Sequence, residues 1–208
     1  MSQTAVAIAL DRWRHRSPSS LSDHAGPCCT AARAWFGAMA LSRPPCEGEP
    51  VWVSRRHRWG PSPWPLFWCE AVTRETLDCG ALAALALEAF RVRGVPVFHV
   101  QLVERVPAEW IAQWNAAWEA SRCPADWIRE ELAYHEACGV LQGRQLSVWD
   151  PTDASWRKPD VTGSAGIVAV RSLEPEGLRL PQTLIWSGLE LKVGEWLVLP
   201  WGKEVQNI

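Results

Sequence analysis

The chain has 208 residues, of which 48% are hydrophobic and 21% are charged, and its formal net charge is −2. This balance is typical of a globular domain with a substantial core, and it excludes a disordered chain. No basic stripe is visible, so we expect no nucleic-acid partner. No apolar run approaches the ~20 residues that span a bilayer, and the first residues lack the basic start of a signal peptide. We therefore expect no membrane association and a cytoplasmic location.

The first 65 residues give few local signals. Residues 30–41 are rich in alanine and aromatic residues and predict a helix, whereas residues 51–53 predict a short strand. Proline-rich stretches between these segments indicate loops. We interpret residues 1–65 as an N-terminal helical and loop extension of a core domain that occupies residues 66–208.

The clearest helix covers residues 78–93, where apolar residues recur at intervals of three and four positions. Asp78 can cap its N-terminus through the carboxylate, and Gly94 is well placed to end it. Residues 95–103 then predict a buried strand. The helix presents an apolar face that must pack against another layer.

The rest of the chain predicts two helices followed by strands. The helices cover residues 107–119 and 124–132, and they form a helical insertion in the core at residues 106–132. The predicted strands cover residues 134–141, 146–150, 166–170, 183–186, 189–193 and 196–199. A helix that leads into an antiparallel sheet defines an α+β fold.

Three tryptophans recur every four residues in the first inserted helix, at Trp110, Trp114 and Trp118. Such a stripe is typical of core packing. The alternative is a lid over a functional site, because the insertion leads directly toward His135.

Seven cysteines form no Cys-x-x-Cys pair, and their odd number suits a reduced protein better than a disulfide framework. No two cysteines or histidines show the spacing of a structural zinc site, so we expect no metal ion and no other cofactor. Cys79 differs from the others because it lies in the first turn of the predicted helix. There the helix dipole lowers the pKa of a thiol, and the Cys79 N–H can bind an oxyanion. A cysteine in an apolar helix is more often a small core residue, so Cys79 alone does not decide the function.

His135 and Asp150 lie on two strands that the turn Gln142-Gly143 predicts to form a hairpin. In that register His135 lies directly opposite Asp150 on the same face. Directly paired residues have Cβ atoms ~4.5–5.5 Å apart, which is close enough for a carboxylate to orient an imidazole.

Each of these residues has a structural alternative. His135 can be a satisfied strand histidine, and Asp150 can be a turn residue before Pro151. His99, in a predicted buried strand, is the main rival to His135 as a base. The joint placement of the residues nevertheless favours a nucleophilic triad of Cys79, His135 and Asp150.

The order cysteine, histidine, aspartate, with the cysteine at the start of a helix that runs into a glycine and a strand, resembles the transglutaminase-like superfamily. That superfamily includes the arylamine N-acetyltransferases and is similar to the papain-like enzymes. The most specific feature is the fifteen-residue step from His135 to Asp150, which ends in Trp-Asp-Pro-Thr. The resemblance covers residues 76–155 and carries over three residues, Cys79, His135 and Asp150.

The resemblance implies a transglutaminase-like (papain-like) core in which Cys79 attacks an amide, ester or thioester carbonyl and forms an acyl-enzyme. The substrate would be a peptide, a protein or an acyl compound. Peptidase or amidase activity is favoured. The alternatives are transglutaminase or amide-forming acyl transfer, and a non-catalytic binding module. The candidates for a second oxyanion donor are the indoles of Trp59, Trp64 and Trp68, and the sequence leaves the oligomeric state open.

Overall fold

A computed structural model describes eight stretches of the chain: residue 21 and residues 27–43, 50–63, 66–123, 128–129, 132–157, 167–173 and 181–198. The described helices are α1 (Pro27–Leu41), α2 (Val51–Arg56), α3 (Trp68–Ala71), α4 (Cys79–Val92) and α5 (Ala108–Ala120). The described strands are β1 (Arg58–Trp59), β2 (Thr76–Leu77), β3 (Val97–Arg105), β4 (Ile128–Arg129), β5 (Leu132–Gln142), β6 (Gln145–Asp150), β7 (Ser155–Arg157), β8 (Ile167–Leu173), β9 (Thr183–Trp186), β10 (Leu189–Lys192) and β11 (Trp196–Val198). None of these helices has the length and apolar character needed to cross a bilayer.

Nine of the described strands form one sheet, in the order β10-β9-β6-β5-β3-β8-β11, with β4 added to β5 and β7 added to β6. Neighbouring strands are antiparallel, except that β6 and β9 run parallel where Gln145 pairs with Ile185. The short strands β1 and β2 form a separate parallel pair. The fold class is therefore α+β, as predicted, although the sheet is mixed where the sequence predicts an antiparallel one.

Helix α4 is buried on two sides. Leu82 and Leu85 join a cluster formed with α1, α2 and α3. Ala83 and Phe90 pack against β3, β5 and β6. Since a fully buried leucine contributes roughly 1.5–3 kcal/mol to stability, these contacts fix α4 and its first residue, Cys79, relative to the sheet.

Both ends of α4 are formed by the predicted residues. The Asp78 carboxylate accepts a hydrogen bond from the Ala81 N–H at 2.8 Å. At the other end Gly94 has a φ of +73°, and its N–H donates to the Arg91 carbonyl at 2.9 Å. A glycine in this left-handed conformation lets the chain leave the helix without steric cost and enter β3.

The hairpin of β5 and β6 forms, but the predicted register is wrong by two residues. The turn is Gly143-Arg144 where Gln142-Gly143 was expected. Gly143 has a φ of +64°, and glycine at the first turn position is what a type II′ turn requires. Because the shift is even, every side chain keeps its face, and His135 and Asp150 become diagonal neighbours.

Two other local predictions are wrong. Residues 51–53, predicted as a strand, begin helix α2, in which Trp52 is buried against neighbouring helices. Residues 124–132, predicted as a helix, include strand β4, which pairs with β5. In both segments tertiary contacts override the weak local preference.

The other predicted strands are confirmed with small differences at their ends, and β9 has the predicted bounds. Residues 166 and 199, predicted at strand ends, lie outside the described residues, as do most of the proline-rich stretches. The domain boundary between residues 65 and 66 stays a prediction. Helices α1 and α2 precede that boundary, yet they share one hydrophobic cluster with α4.

Candidate active site

Cys79 is buried and is the first residue of α4, as predicted. The chain before it is fixed by two contacts. The Asp78 N–H donates to Ser62 Oγ at 2.9 Å, and the parallel pairing of Trp59 with Leu77 holds the residues leading into the helix. At this first helical position no carbonyl within the helix can accept the Cys79 N–H, so that group can bind a ligand.

His135 contacts both of the other predicted triad residues. Its Nε2 lies 2.8 Å from Oδ2 of Asp150. Its side chain also lines the same cavity as Cys79 and is near enough to influence the pKa of the thiol. Because Nε2 faces Asp150, Nδ1 is the ring nitrogen left for the sulfur. The structure therefore brings Cys79, His135 and Asp150 together in the expected order.

Asp150 is fully buried, and both of its oxygens accept hydrogen bonds. Oδ1 accepts from the Thr152 N–H at 2.9 Å and from the Thr152 hydroxyl at 2.7 Å. Oδ2 accepts from His135 and from Arg157, whose Nε lies 2.6 Å away. Arg157 Nη1 also lies 2.9 Å from Glu104 Oε1. These contacts hold the carboxylate in one orientation, and the carboxylate orients the imidazole.

The charge state of Cys79 differs from the one that the sequence predicts. Burial raises the pKa of the Cys79 thiol above its ordinary value, and the hydrogen bond and charge of His135 lower it only in part. The carboxylates of Asp78 and Glu136 add to the rise. The net pKa of Cys79 is therefore raised where the sequence predicts a lowered one, because loss of solvent is the largest effect.

The pKa values of His135 and Asp150 move in opposite directions. Burial lowers the pKa of His135, but the charge and hydrogen bond of Asp150, together with the Cys79 contact, raise it well above the ordinary value. Burial raises the pKa of Asp150, but His135, Arg157 and Thr152 lower it well below the ordinary range. His135 and Asp150 therefore each favour the charged form of the other, an imidazolium beside a carboxylate, whereas burial favours the protonated form of the Cys79 thiol.

A cavity of about 380 Å³ adjoins Cys79 and His135. Its volume lies within the usual range for small-ligand sites. The aromatic part of its lining is Trp59, Trp110, Trp114 and Tyr134, and the charged part is Glu104, Arg105, Asp153 and Arg157. The cavity thus combines apolar walls with charges of both signs.

The tryptophan stripe on α5 runs from the core to this cavity. Trp118 is buried, Trp114 is half-buried and Trp110 is 53% exposed. The Trp59 ring meets Trp114 edge-on with centroids 4.9 Å apart, and its centroid lies 5.3 Å from that of Trp118. One end of the stripe is therefore core packing, and the other end lines the candidate site.

The three indoles predicted as oxyanion donors have different positions. Trp59 lines the cavity, and its Nε1 is buried without a hydrogen-bond partner among the described residues. Trp68 is buried in the helical cluster, and Trp64 lies outside the described residues. Indoles without a partner also occur away from the cavity, as at Trp149. Its position in the lining is therefore what distinguishes Trp59.

His99, the rival base, belongs to a buried network that borders the site through Tyr134 and Glu136. Its Nε2 lies 2.5 Å from Glu136 Oε2. The Tyr134 hydroxyl donates to Glu136 Oε1 at 2.6 Å, and Gln101 Nε2 donates to the Tyr134 hydroxyl. As far as the structure describes the cavity, its lining includes His135 and not His99. His135 is therefore the better candidate for the base.

Sequence reasoning missed the residues that hold Asp150. Thr152 had a signal, since an aspartate side chain often bonds the N–H two residues further on in an Asx-turn. Arg157 and Glu104 had none, because they lie on β7 and β3 and meet only in the folded sheet.

Among the described residues, the candidate site has no group of three side chains close enough to share a metal ion. No protein-family model, curated protein or solved structure matches the chain. The resemblance to the transglutaminase-like superfamily therefore stays a prediction, carried by Cys79, His135 and Asp150.

Proposed function

We propose that this protein is a cysteine-dependent acyl-transfer enzyme with a transglutaminase-like core, acting most directly as a peptidase or amidase. The observation that carries the proposal is the position of His135, which contacts the Cys79 thiol and the buried Asp150 carboxylate. Cys79 and His135 line one cavity, and Asp150 orients His135 in its wall. This is the arrangement that nucleophile, base and orienting carboxylate require.

The first chemical step begins when the Cys79 thiol releases its proton to solvent water, because His135 is already an imidazolium and cannot accept it. The resulting thiolate lies beside the imidazolium of His135, and this charge offsets part of the cost of burying the thiolate. The sulfur attacks the substrate carbonyl, an S–C bond forms, and the bond from carbonyl carbon to the leaving nitrogen or oxygen breaks. The His135 imidazolium donates its proton to the leaving group. Neutral His135 then deprotonates water, which attacks the thioester and releases the acid and the Cys79 thiolate.

Two donors are available for the oxyanion that forms in these steps. One is the backbone N–H of Cys79 at the start of α4. The other is the buried Nε1 of Trp59, which lines the cavity. Loss of one oxyanion donor commonly lowers kcat by about 10²–10³. We therefore expect Trp59→Phe, which keeps the ring contact with Trp114, to lower the acylation rate by about that factor.

The cavity supports a substrate with an apolar or aromatic group next to the reacting carbonyl. Trp110 and Trp114 supply flat apolar walls, and Arg105 supplies a positive charge near them. Peptides, proteins and small acyl compounds all meet this description. Transfer to an amine in place of water, as in a transglutaminase or an amide-forming enzyme, uses the same residues and differs in the second acceptor.

A non-catalytic binding module is the second candidate, and one observation favours it. Burial raises the pKa of Cys79, and a buried thiol that keeps its proton is a weak nucleophile. In that case the cavity would bind its ligand without turnover.

Acylation by a small activated ester such as p-nitrophenyl acetate separates the two candidates. The enzyme proposal expects a burst of nitrophenol and an acetyl group on the peptide that contains Cys79, detected by mass spectrometry after an acid quench. His135→Gln should lower the burst rate by at least ~100-fold. His99→Gln, a change to the other buried strand histidine, should leave it nearly unchanged. Acetylation spread evenly over the cysteines, or unchanged in Cys79→Ser, would contradict the proposal.

A further inference from the structure

Three thiols from two helices meet on the side of the molecule formed by α1 and α3. Cys28 Sγ lies 3.4 Å from Cys69 Sγ, and Cys29 Sγ lies 3.7 Å from it. All three sulfurs lie within 4.8 Å of one another, and none of these cysteines is in a disulfide. Among the described residues, these cysteines form the one group of three or more potential ligand side chains whose ligand atoms all lie this close together.

The backbone holds this group by contacts that do not involve the sulfurs. Cys28 and Cys29 are the second and third residues of α1, and Cys69 is the second residue of α3. The two helices are joined through Phe36 and Trp68, whose ring centroids lie 6.0 Å apart in the hydrophobic cluster. The positions of the thiols are therefore set by the fold before any ligand binds.

The sulfur spacing matches the geometry of a thiolate-bound metal. A Zn–S bond is about 2.3 Å long, so two thiolates on a tetrahedral zinc ion lie ~3.8 Å apart. Cys28 is exposed, Cys69 is half-buried and Cys29 is buried, so the group reaches from solvent into the core. A cation can enter from the exposed side and remain held from the buried side.

The surrounding charges suit three thiolates. The N-terminus of α1 carries the positive end of the helix dipole, which stabilises anionic sulfur at Cys28 and Cys29. Arg33 lies one turn further along the helix than Cys29 and places its guanidinium 4.8 Å from the ring centroid of Trp68. The helix dipole offsets part of the excess negative charge that three thiolates give to a divalent ion.

We propose that Cys28, Cys29 and Cys69 bind one thiophilic divalent cation of the Zn²⁺ class, with a fourth coordination position left for water or another ligand. The bound cation cross-links α1 and α3 and so stabilises the helices that cover α4. The proposal is independent of the acyl-transfer chemistry, because Cys79 lines the cavity of the candidate active site and the described lining includes none of these three cysteines.

Cobalt titration of the full-length protein tests this site. Co²⁺ is added to reduced protein without oxygen, and absorption is followed in the near-ultraviolet thiolate-to-cobalt band and in the visible bands of tetrahedral cobalt. We expect saturation at one Co²⁺ per chain and loss of the bands when Zn²⁺ is added. Cys28→Ser and Cys69→Ser should each lower the Co²⁺ affinity by at least about 100-fold, since each removes one of three sulfur ligands.

The matched controls are Cys79→Ser and Cys123→Ser, which remove thiols outside the group and should keep the bands. Circular dichroism checks that every variant is folded, and the exposed position of Cys28 makes its serine variant the least disruptive. Absence of the thiolate band in the wild-type protein would overturn the proposal. So would a band that persists in both Cys28→Ser and Cys69→Ser, or one that disappears only in Cys79→Ser.

Discussion

At the scale of single residues, the charge of Asp150 determines the protonation of the site. The carboxylate is fully buried, yet hydrogen bonds from His135, Arg157 and Thr152 keep it ionised. It in turn keeps His135 protonated against the effect of burial. A substitution of Asp150 should therefore change the pKa of the His135 imidazole, whichever substrate the enzyme uses.

Replacing Asp150 by asparagine should lower the pKa of His135 by at least about one unit, or about 1.4 kcal/mol. Without the carboxylate, burial becomes the dominant effect and favours the neutral ring. Titration of the His135 ring signals by NMR measures the shift. Asp153→Asn, a neutralising change at a residue that lines the same cavity, is the control and should shift this pKa far less. Equal titration curves for wild type and Asp150→Asn would contradict this role.

The raised pKa of His135 also predicts how stability depends on pH. The folded protein binds the proton more tightly than the unfolded chain, whose histidine has a pKa near 6.5. The stabilisation is therefore fully present below that value and is lost as the pH rises through the folded-state pKa. Urea unfolding of wild type and His135→Gln across this range should give a free-energy difference that shrinks with rising pH. A difference that is constant or grows would show that the imidazolium does not stabilise the fold.

At the scale of elements, the N-terminus of α4 sets both the position and the chemistry of Cys79. Asp78 caps the helix through Ala81, but its negative charge also raises the pKa of the neighbouring thiol. These two effects can be separated, because serine caps a helix nearly as well as aspartate and carries no charge.

Asp78→Ser should keep the stability within a few tenths of a kcal/mol and lower the pKa of Cys79. Asp78→Ala should lower the free energy of unfolding by about 1 kcal/mol, since the cap is lost. Urea unfolding and the pH dependence of Cys79 alkylation measure the two effects. If Asp78→Ser and Asp78→Ala behave alike in both measurements, the capping hydrogen bond does not contribute to stability separately from the charge of Asp78.

Helix α4, the β5–β6 hairpin and strand β4 show which kinds of local structure the sequence can predict. The α4 helix and its capping residues were readable because periodicity and caps are local signals. The register of the β5–β6 hairpin was not, since either Gln142-Gly143 or Gly143-Arg144 can form a two-residue turn. The predicted contact of His135 with Asp150 is still present, because a register shift of two residues keeps both side chains on the same face of the sheet. Strand β4 was missed because it is defined by its pairing with β5.

At the scale of the whole molecule, one hydrophobic cluster joins the segment before residue 65 to the candidate catalytic helix. Phe36 of α1 is fully buried and contacts Trp52 of α2 and Trp68 of α3, and the same cluster includes Leu82 of α4. The described part of the first 65 residues therefore supports α4, and we expect the two parts to unfold together.

Phe36→Ala should lower the free energy of unfolding by about 3–5 kcal/mol, because it leaves a cavity in this cluster. Urea unfolding should show one transition that removes helix signal and the protection of Cys79 from alkylation at the same urea concentration. Leu41→Ala, on the same helix but 61% exposed, is the control and should have little effect. Two separate transitions would instead support an independent extension with a boundary near residue 65.

The molecule also holds features that no linear pattern indicates. Cys28, Cys29 and Cys69 have no metal-site spacing along the chain, and they meet because α1 and α3 pack together. The raised pKa of Cys79 was unpredictable for the same reason, since the sequence gives the helix position but not the depth of burial. Local rules therefore gave the candidate nucleophile, and tertiary contacts decided its protonation.

Alkylation with iodoacetamide between pH 5 and 9 tests whether Cys79 is a nucleophile assisted by His135. The rate at each cysteine is read by peptide mass spectrometry in wild type, His135→Gln and His99→Gln. We expect Cys79 to react faster than buried Cys138, whose pKa burial raises well above the ordinary value. We also expect that His135→Gln alone slows Cys79 at least ~10-fold and moves its pH profile upward, since His135 lowers this pKa. A Cys79 rate and pH profile that are unchanged in His135→Gln would contradict the claim.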